Sequence, residues 1–490
     1  MIYIAKLYTE TIFMKPTLLF YDYETFGTSP SLDRPAQFAA IRTDMDLNVI
    51  GEPETIYCCL ANDYLPQPEA VLITGITPQI AQLRGINEAS FTRRIHQIFC
   101  VPNTCIVGYN NICFDDEISR NLFYRNFYDP YDWSWKNSNS RWDLLDVVRA
   151  CFALRPDGIR WPTDTQGCPT FRLEKLTQEN QIAHNSAHDA LSDVYATIAL
   201  AKLIKEKQPK LYNFLYAHRQ KHKLRTLINV SQMKQLVFVS SRFGKKRSNV
   251  TCVAPLAWHP HNKNALITCD LGGDVSSLIA IDTDLLRESL DNYHKLAQHR
   301  SNFPLQLIHI NKCPVIAPAN VLRASDALRI GINLEYYADN LAKLLQNPKI
   351  REKVAQLYII KEKHIPLEDV DTQMYHGFFN YSDRHTIHTI CHTSAKHLLT
   401  LNLTFYDKRI KQLFFRFRAR NFPDLLTPLE KIAWLQHRRE ILNKKRIQEY
   451  IKNIESLHTQ YQYDQVKQAH LEALLDYTKD IQFSLQTEYL

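Results

Sequence analysis

A chain of 490 residues, 45% hydrophobic and 22% charged, is long enough for two to four domains of roughly 100–200 residues each and is not the composition of a disordered protein. Only 12 glycines argue against collagen-like, glycine-linker and nucleotide-cradling loop designs. The net charge of +8 permits a polyanionic partner without requiring one. Eleven irregularly spaced cysteines, with Cys58 and Cys59 adjacent, fit reduced thiols better than a secreted disulfide framework.

The first sixteen residues carry Lys6, Glu10 and Lys15 and no signal-peptide core. They are expected to form a frayed tail, with Met14 as an alternative start. No stretch approaches the ~20 uninterrupted apolar residues of a membrane span. The expectation is a cytoplasmic monomer without membrane contact. From residue 17 to 206 short apolar runs alternate with helical patterns. Thr17–Tyr23, Phe38–Arg42, Thr55–Cys59 and Cys105–Gly108 are predicted strands. Ala89–Phe99, Asp116–Tyr124, Trp142–Ala153 and Ala187–Ile204 are predicted helices, giving an α/β domain on a mixed sheet.

Residues 209–355 differ in texture. Leu236–Ser240, Thr251–Val253, Ala265–Cys269, Ser277–Ile281 and Leu305–Ile310 are predicted strands of a small β-barrel or sandwich with helical excursions. No acid occurs between Glu206 and Asp270, while nine basic residues accumulate from Arg219 to Arg247, either on a solvated surface or facing phosphates. From 362 to 490 the chain is predicted to be helical. Ile410, Leu413, Phe414 and Phe417 form a core stripe, and Lys408, Arg409, Lys411, Arg416, Arg418 and Arg420 are expected as its solvated rim.

Three short elements carry chemistry. Asp22 and Glu24 end an apolar strand on one face, about 6–7 Å apart along the backbone. Two acids crowded in this way repel unless a cation lies between them, and oxygen ligands suit Mg²⁺ or Mn²⁺. Asp115 opens a helix after Gly108-Tyr-Asn-Asn-Ile-Cys-Phe. Asp116 and Glu117 can serve the helix dipole while Asp115 faces the cation. His188 and Asp193 lie at the start of a long helix that Asn185 or Ser186 can cap, where the dipole favours a neutral imidazole suited to a general base. A zinc pair of His184 and His188 lacks a third nitrogen or sulfur ligand nearby, and His385, His388, Cys391, His392 and His397 read as an ordinary polar segment.

In order and spacing these motifs resemble those of the DEDDh exonucleases, in particular the bacterial exonuclease I family. Asp22-Tyr-Glu24-Thr-Phe, Tyr109-Asn-Asn-x-x-Phe-Asp115 and His188-x₄-Asp193 carry the likeness. So do Leu32-Asp-Arg-Pro-Ala-Gln-Phe, Arg125-Asn-Phe-Tyr-Asp-Pro, Asn139-Ser-Arg-Trp-Asp-Leu-Leu-Asp, Ala187-His-Asp-Ala, Val253-Ala-Pro-Leu-Ala-Trp-His-Pro and Phe417-Arg-Ala-Arg-Asn-Phe-Pro. One departure is Cys113, where many relatives have a basic residue.

The resemblance implies an α/β ribonuclease H-like exonuclease domain, an SH3-like β-barrel and a C-terminal α-helical domain. It further implies processive 3′→5′ hydrolysis of single-stranded DNA to 5′-mononucleotides, with two Mg²⁺ per site that Mn²⁺ can replace. On that basis Asp22, Glu24 and Asp193 hold one metal, Asp22 with Asp115 places the second, His188 takes the proton of the attacking water, and Glu24 meets the terminal 3′-hydroxyl. The resemblance also implies docking of the acidic tail of single-stranded-DNA-binding protein, with Arg155 a candidate receiver.

Seven aromatics fall within thirteen residues, Phe123 to Trp135. Stacking is worth about 1–3 kcal/mol per base and tolerates any sequence, so this density suits single-strand binding. Tyr131 and Trp135, beside the turn at Pro130, are the expected exposed members. Arg120, Arg149, Arg172 and Lys221 are candidate phosphate contacts. Two other readings remain open: a DEDDh nuclease acting on RNA ends, and a non-catalytic recruitment protein. A 300-residue C-terminal extension fits the first poorly, and filled ligand positions argue against the second.

Overall fold

Thr17–Thr25 (β1) is almost wholly buried because it lies inside a sheet. Pro35–Thr43 (β2) pairs with it antiparallel and Thr104–Gly108 (β4) parallel, while Glu54–Tyr57 (β3) flanks β2. In this computed structural model the described residues are 15–184, 188–288, 304–359 and 368–487. Residues 1–14 of the expected tail 1–16, and the expected caps Asn185 and Ser186, lie outside them. The chain forms two compact units. One comprises residues 1–139, 185–195 and 365–490, and the other comprises 140–184 and 196–364.

In the first unit, the helix Glu88–Phe99 lays Phe91, Ile95 and Phe99 on the aromatic face of β1 and β2 made by Tyr21, Tyr23 and Phe38. C-terminal helices close the rest of this unit. Ile454, Leu471 and Leu474 pack with Phe26 and Val71, and Ile410, Leu413 and Phe417 pack with Ala89, Tyr124 and Phe127. The apolar stripe is therefore core, as read from its spacing. Its arginines are not a solvated rim. Arg409 pairs with Asp407, Arg416 with Asp369 and Asp371, Arg418 with Glu430, and Arg420 with Asp63 and Asp371. For Arg416 and Arg420 the neutralising acids, Asp63, Asp369 and Asp371, lie in other segments, which local patterning could not reveal. The long run after Pro428 is three helices, Pro428–Ile441, Lys444–Gln460 and Gln465–Thr487. Asn443 and Asp464 restart the second and third by accepting the backbone N–H groups of Arg446 and Lys467.

In the second unit, five antiparallel strands are ordered β10-β6-β7-β8-β9, with Leu236–Val239 (β6), Val250–Trp258 (β7), Ala265–Asp270 (β8), Leu305–His309 (β9) and Val315–Pro318 (β10). Two sequence expectations fail here. Ser277–Ile281 is not a strand: Asp274 accepts the Ser277 N–H at 3.0 Å and starts the helix Val275–Ala280, which buries Val275 and Leu278 one turn apart. Trp142 is not helical either. Ser140–Asp143 (β5) is a strand, and Asp143 then caps the helix Leu144–Leu154 through the Leu145 N–H. Among the described residues no helix is long and apolar enough to cross a membrane.

Candidate active site

The site forms where β1 outruns one of its neighbours. β4 pairs with β1 from Thr17↔Thr104 to Phe20↔Val107, whereas β2 continues alongside through Asp22↔Ala39 and Glu24↔Gln37. Asp22 and Glu24 therefore project from one face of the strand end, Glu24 buried and Asp22 half-buried.

β4 delivers the third acid. Gly108 lets the following loop fold back, since a Cβ there would stand 2.6 Å from that of Asn111. The helix Asp115–Arg125 begins immediately after this loop. Its first three residues have three different tasks. Asp115 is buried and takes the Tyr23 backbone N–H at 3.3 Å, which pins the helix to β1. Asp116 accepts the Tyr21 hydroxyl at 2.6 Å and the Asn111 amide at 3.1 Å. Glu117 pairs with Arg120 at 2.6 Å.

The remaining two groups arrive on a turn. His188 is exposed and sits in the left-handed region with φ 66°, and its backbone N–H reaches Asp193 Oδ2 at 3.3 Å. The helix Ala190–Lys207 starts two residues later, with Asp189 accepting the Ser192 N–H at 3.1 Å. Asp189 thus does the capping for which Asn185 or Ser186 was expected. Gln37 brackets this turn to the sheet. Its Oε1 accepts the Ala190 N–H at 3.1 Å and its amide donates to Asp189 at 3.4 Å. Gln37 is fully buried directly opposite Glu24, and sequence reasoning missed its role although it stands in the Leu32–Phe38 stretch.

Glu24, His188 and Asp193 bring ligand atoms within 4.8 Å of one another, the one such group of three among the described residues. The tightest trio thus holds His188 where Asp22 was expected. Asp22 stands closest electrostatically to Asp115, then to Glu24 and Asp193. Burial and those neighbours push its pKa well above the usual carboxylate value. Burial, with Asp193 and Asp115 beside it, pushes Glu24 up to about 8, and burial with Asp116 pushes Asp115 up to about 7. Carboxylates crowded this closely cannot all stay ionised unless a cation compensates them. Carboxylate oxygens with one imidazole nitrogen fit a divalent metal. His184 instead meets the Thr177 hydroxyl at 3.1 Å.

The loop joining β1 to β2 is held from inside. Asp33 accepts from the Ser29 backbone at 2.7 Å, the Tyr64 hydroxyl at 2.7 Å and the Gln67 amide at 3.0 Å. Gly27 faces this carboxylate so closely that a Cβ would stand 2.3 Å from it.

The candidate substrate contacts separate on inspection. Trp135 is 63% exposed and Tyr131 half-buried, whereas Phe123, Tyr124, Phe127 and Trp133 are core. Arg120 is buried against Glu117, with its guanidinium 5.5 Å from the Tyr131 ring, so a phosphate would have to displace an existing carboxylate. In the second unit, Arg149 is paired with Asp146 at 2.7 Å, while Arg172 and Lys221 are exposed. Of the basic run, Lys245 and Arg247 pair with Asp164 and Asp270. Lys223, Lys234 and Lys246 remain exposed. Arg155 donates to the Val321 carbonyl and shares Asp326 with Arg323 and Arg329, at 3.8, 2.5 and 3.6 Å. Three guanidiniums around one carboxylate leave a net positive cluster. Arg323 and Arg329 carried no local signal, because they meet Arg155 only in the fold.

Three family models match the chain: Exonuclease over residues 19–201, Exonuclease I SH3-like domain over 219–359, and Exonuclease I C-terminal domain over 368–481. The chain is 56% identical over 465 residues to exodeoxyribonuclease I of Escherichia coli (strain K12), covering 95% of this chain and 98% of that protein. The crystal structure of E. coli exonuclease I in complex with a dA16 oligonucleotide is similar with a TM-score of 0.92 at 56% identity, covering 95% of this chain and 100% of that one. An ExoI/SSB-Ct complex is similar with a TM-score of 0.90 at 55% identity, covering 96% and 100%.

Proposed function

The chain belongs to the exonuclease I family, and from that premise we propose that it hydrolyses single-stranded DNA processively in the 3′→5′ direction, releasing 5′-mononucleotides, as a cytoplasmic monomer in DNA repair and recombination. The observation that carries the reading is the convergence of Asp22, Glu24, Asp115, His188 and Asp193 from three separate segments on one end of β1. The domain limits proposed are 17–206 for the nuclease, 209–355 for the SH3-like barrel and 362–490 for the helical domain, supported by the matched ranges.

Asp22, Glu24, Asp115 and Asp193 would hold two Mg²⁺, for which Mn²⁺ can substitute. When bound, these ions supply charge neutralisation to the scissile phosphate and the departing 3′-oxygen. The chain's own residues do the rest. His188 is exposed at the lip of the site, on a backbone that Asp193 and Gln37 hold through the turn, and it takes the proton of the attacking water. Glu24, buried at the strand end, meets the terminal 3′-hydroxyl and so selects a free end. Trp135 and Tyr131 offer faces for stacking unpaired bases, and Arg172 and Lys221 are the open phosphate contacts. Arg120 and Arg149 would act only by exchanging their present carboxylates. Arg155, with Arg323 and Arg329, would receive the acidic C-terminal tail of single-stranded-DNA-binding protein, as the ExoI/SSB-Ct complex supports.

The test is digestion of a 5′-labelled single-stranded DNA with Mg²⁺, beside EDTA, Asp193→Ala and His188→Ala controls. Stepwise shortening from the 3′ end is expected, lost in all three controls while both variants still bind DNA. Near-normal turnover by either variant would overturn the assignment, and cleavage confined to a matched RNA would overturn the substrate.

A further inference from the structure

A cavity of about 150 Å³ lies within the first unit, between the helix Glu88–Phe99, the turn at 126–128 and the segment 390–398. None of the carboxylate-site residues lines it. Its lining divides by burial. Ile390, Leu398 and Phe417 are buried and form the floor. Ser90, Arg93 and Ser394 are exposed and form the rim. The cavity is therefore apolar at depth and polar at its mouth.

The charge at that mouth has one sign. Arg93 is the only charged side chain of the lining, and among the described residues no carboxylate pairs with it. Its neighbour Arg94 instead pairs with Glu54. Glu88, on the same helix, is already claimed by Arg125 at 2.8 Å and by the Asn126 amide at 2.9 Å. From 89 to 99 and from 390 to 398 the chain contains no acid at all. The Tyr128 hydroxyl neighbours both the Arg93 guanidinium and the Cys391 thiol, which sets the Arg93 head beside two other lining residues. The His96 ring lies 4.4 Å from that of Tyr128 and backs it. Burial pushes His96 down to about 4, so it adds no charge there at neutral pH.

A guanidinium without a counter-charge beside an apolar recess selects for an anion with an apolar body. A carboxylate matches the guanidinium fork with two parallel hydrogen bonds. A recess of this volume holds an apolar body of about the size of one benzene ring.

We propose that this cavity binds a small monocarboxylate with an apolar body of about one ring, its carboxylate on Arg93 and its body against Leu398 and Phe417. Neither the metal-site carboxylates nor a DNA contact takes part, so the site stands apart from the nuclease reading.

The probes are benzoate and its uncharged isostere benzamide, titrated into the full chain by ligand-observed NMR. Benzoate is expected to bind saturably and about two- to fivefold more tightly than benzamide, the range of a solvent-facing ion pair. That margin should shrink as salt is raised. Arg93→Gln removes the charge without breaking an ion pair and should make the two affinities equal. Ala395→Leu fills the recess and should abolish binding of both probes. Each variant should keep the circular dichroism and urea midpoint of the parent protein. Three results would each overturn the proposal: no saturable benzoate binding, a benzoate preference that survives Arg93→Gln, or undiminished binding by folded Ala395→Leu.

Discussion

Replacing Asp371 by Asn is expected to be among the most damaging single changes away from the carboxylate site. Asp371 is 3% exposed and lies within 3.1 Å of Arg34, 3.4 Å of Arg416 and 2.6 Å of Arg420. Burial alone would raise its pKa, yet Arg420, Arg34 and Arg416 together hold it well below the ordinary carboxylate range. Removing one partner of a buried ion pair costs about 3–5 kcal/mol, because the other charge is left in low dielectric. Here three guanidiniums lose their common carboxylate, and only Arg420 keeps a buried one, Asp63, at 2.8 Å. The loss should therefore fall in the upper half of that range, about 4 kcal/mol. Urea unfolding followed by tryptophan fluorescence is a suitable assay, since buried Trp434 has the Arg420 guanidinium 6.0 Å from its ring. A loss below about 1 kcal/mol would refute the reasoning, because that is the worth of a solvated surface pair. A double-mutant cycle with Arg34→Met should return a coupling energy of about 1 kcal/mol or more.

Acid sensitivity follows from Glu88, whose burial would raise its pKa but which Arg125 holds down at about 2 against an ordinary 4.5. A depressed carboxylate stabilises fully above its unfolded value and loses that contribution as pH falls through the folded one. About 3 kcal/mol should thus disappear between pH 4.5 and 2, a dependence that Arg125→Met should largely abolish in urea titrations. Trp135→Ala should weaken binding of a short single-stranded oligonucleotide by about 1–3 kcal/mol if a base stacks there. An unchanged Kd would remove Trp135 from the DNA path. Binding should also weaken steeply with salt, with a slope of about −0.7 per phosphate contacted, and a flat response would exclude a basic track.

The nuclease strands and the acid–histidine–acid motifs were legible because their information is local. β1 reads as an apolar run ending in Asp22-x-Glu24, and period-two geometry alone puts both carboxylates on one face. Asp115 was separable from its neighbours in principle, but only the fold shows Tyr21 and Asn111 claiming Asp116 while Arg120 claims Glu117. Ser277–Ile281 misled because its composition suits a strand, whereas Asp274 three residues upstream starts a helix that two buried contacts then retain. Gln37 carried no catalytic signature, since its task is defined by what lies across space from it.

By itself the sequence determined the three textures of the chain, the ordered acid and histidine motifs and the family they resemble. Those features depend on side-chain chemistry and on periodicities of two and 3.6, which operate over a few neighbouring residues. Tertiary structure alone decided which charges are already spent. Arg420 and Lys221 look alike as basic residues in helices, yet one is buried against Asp63 and Asp371 while the other stays open. Pairings such as Arg420 with Asp63 join segments that are distant in the chain, where the energy of a charge is set by its surroundings and not by its neighbours in sequence.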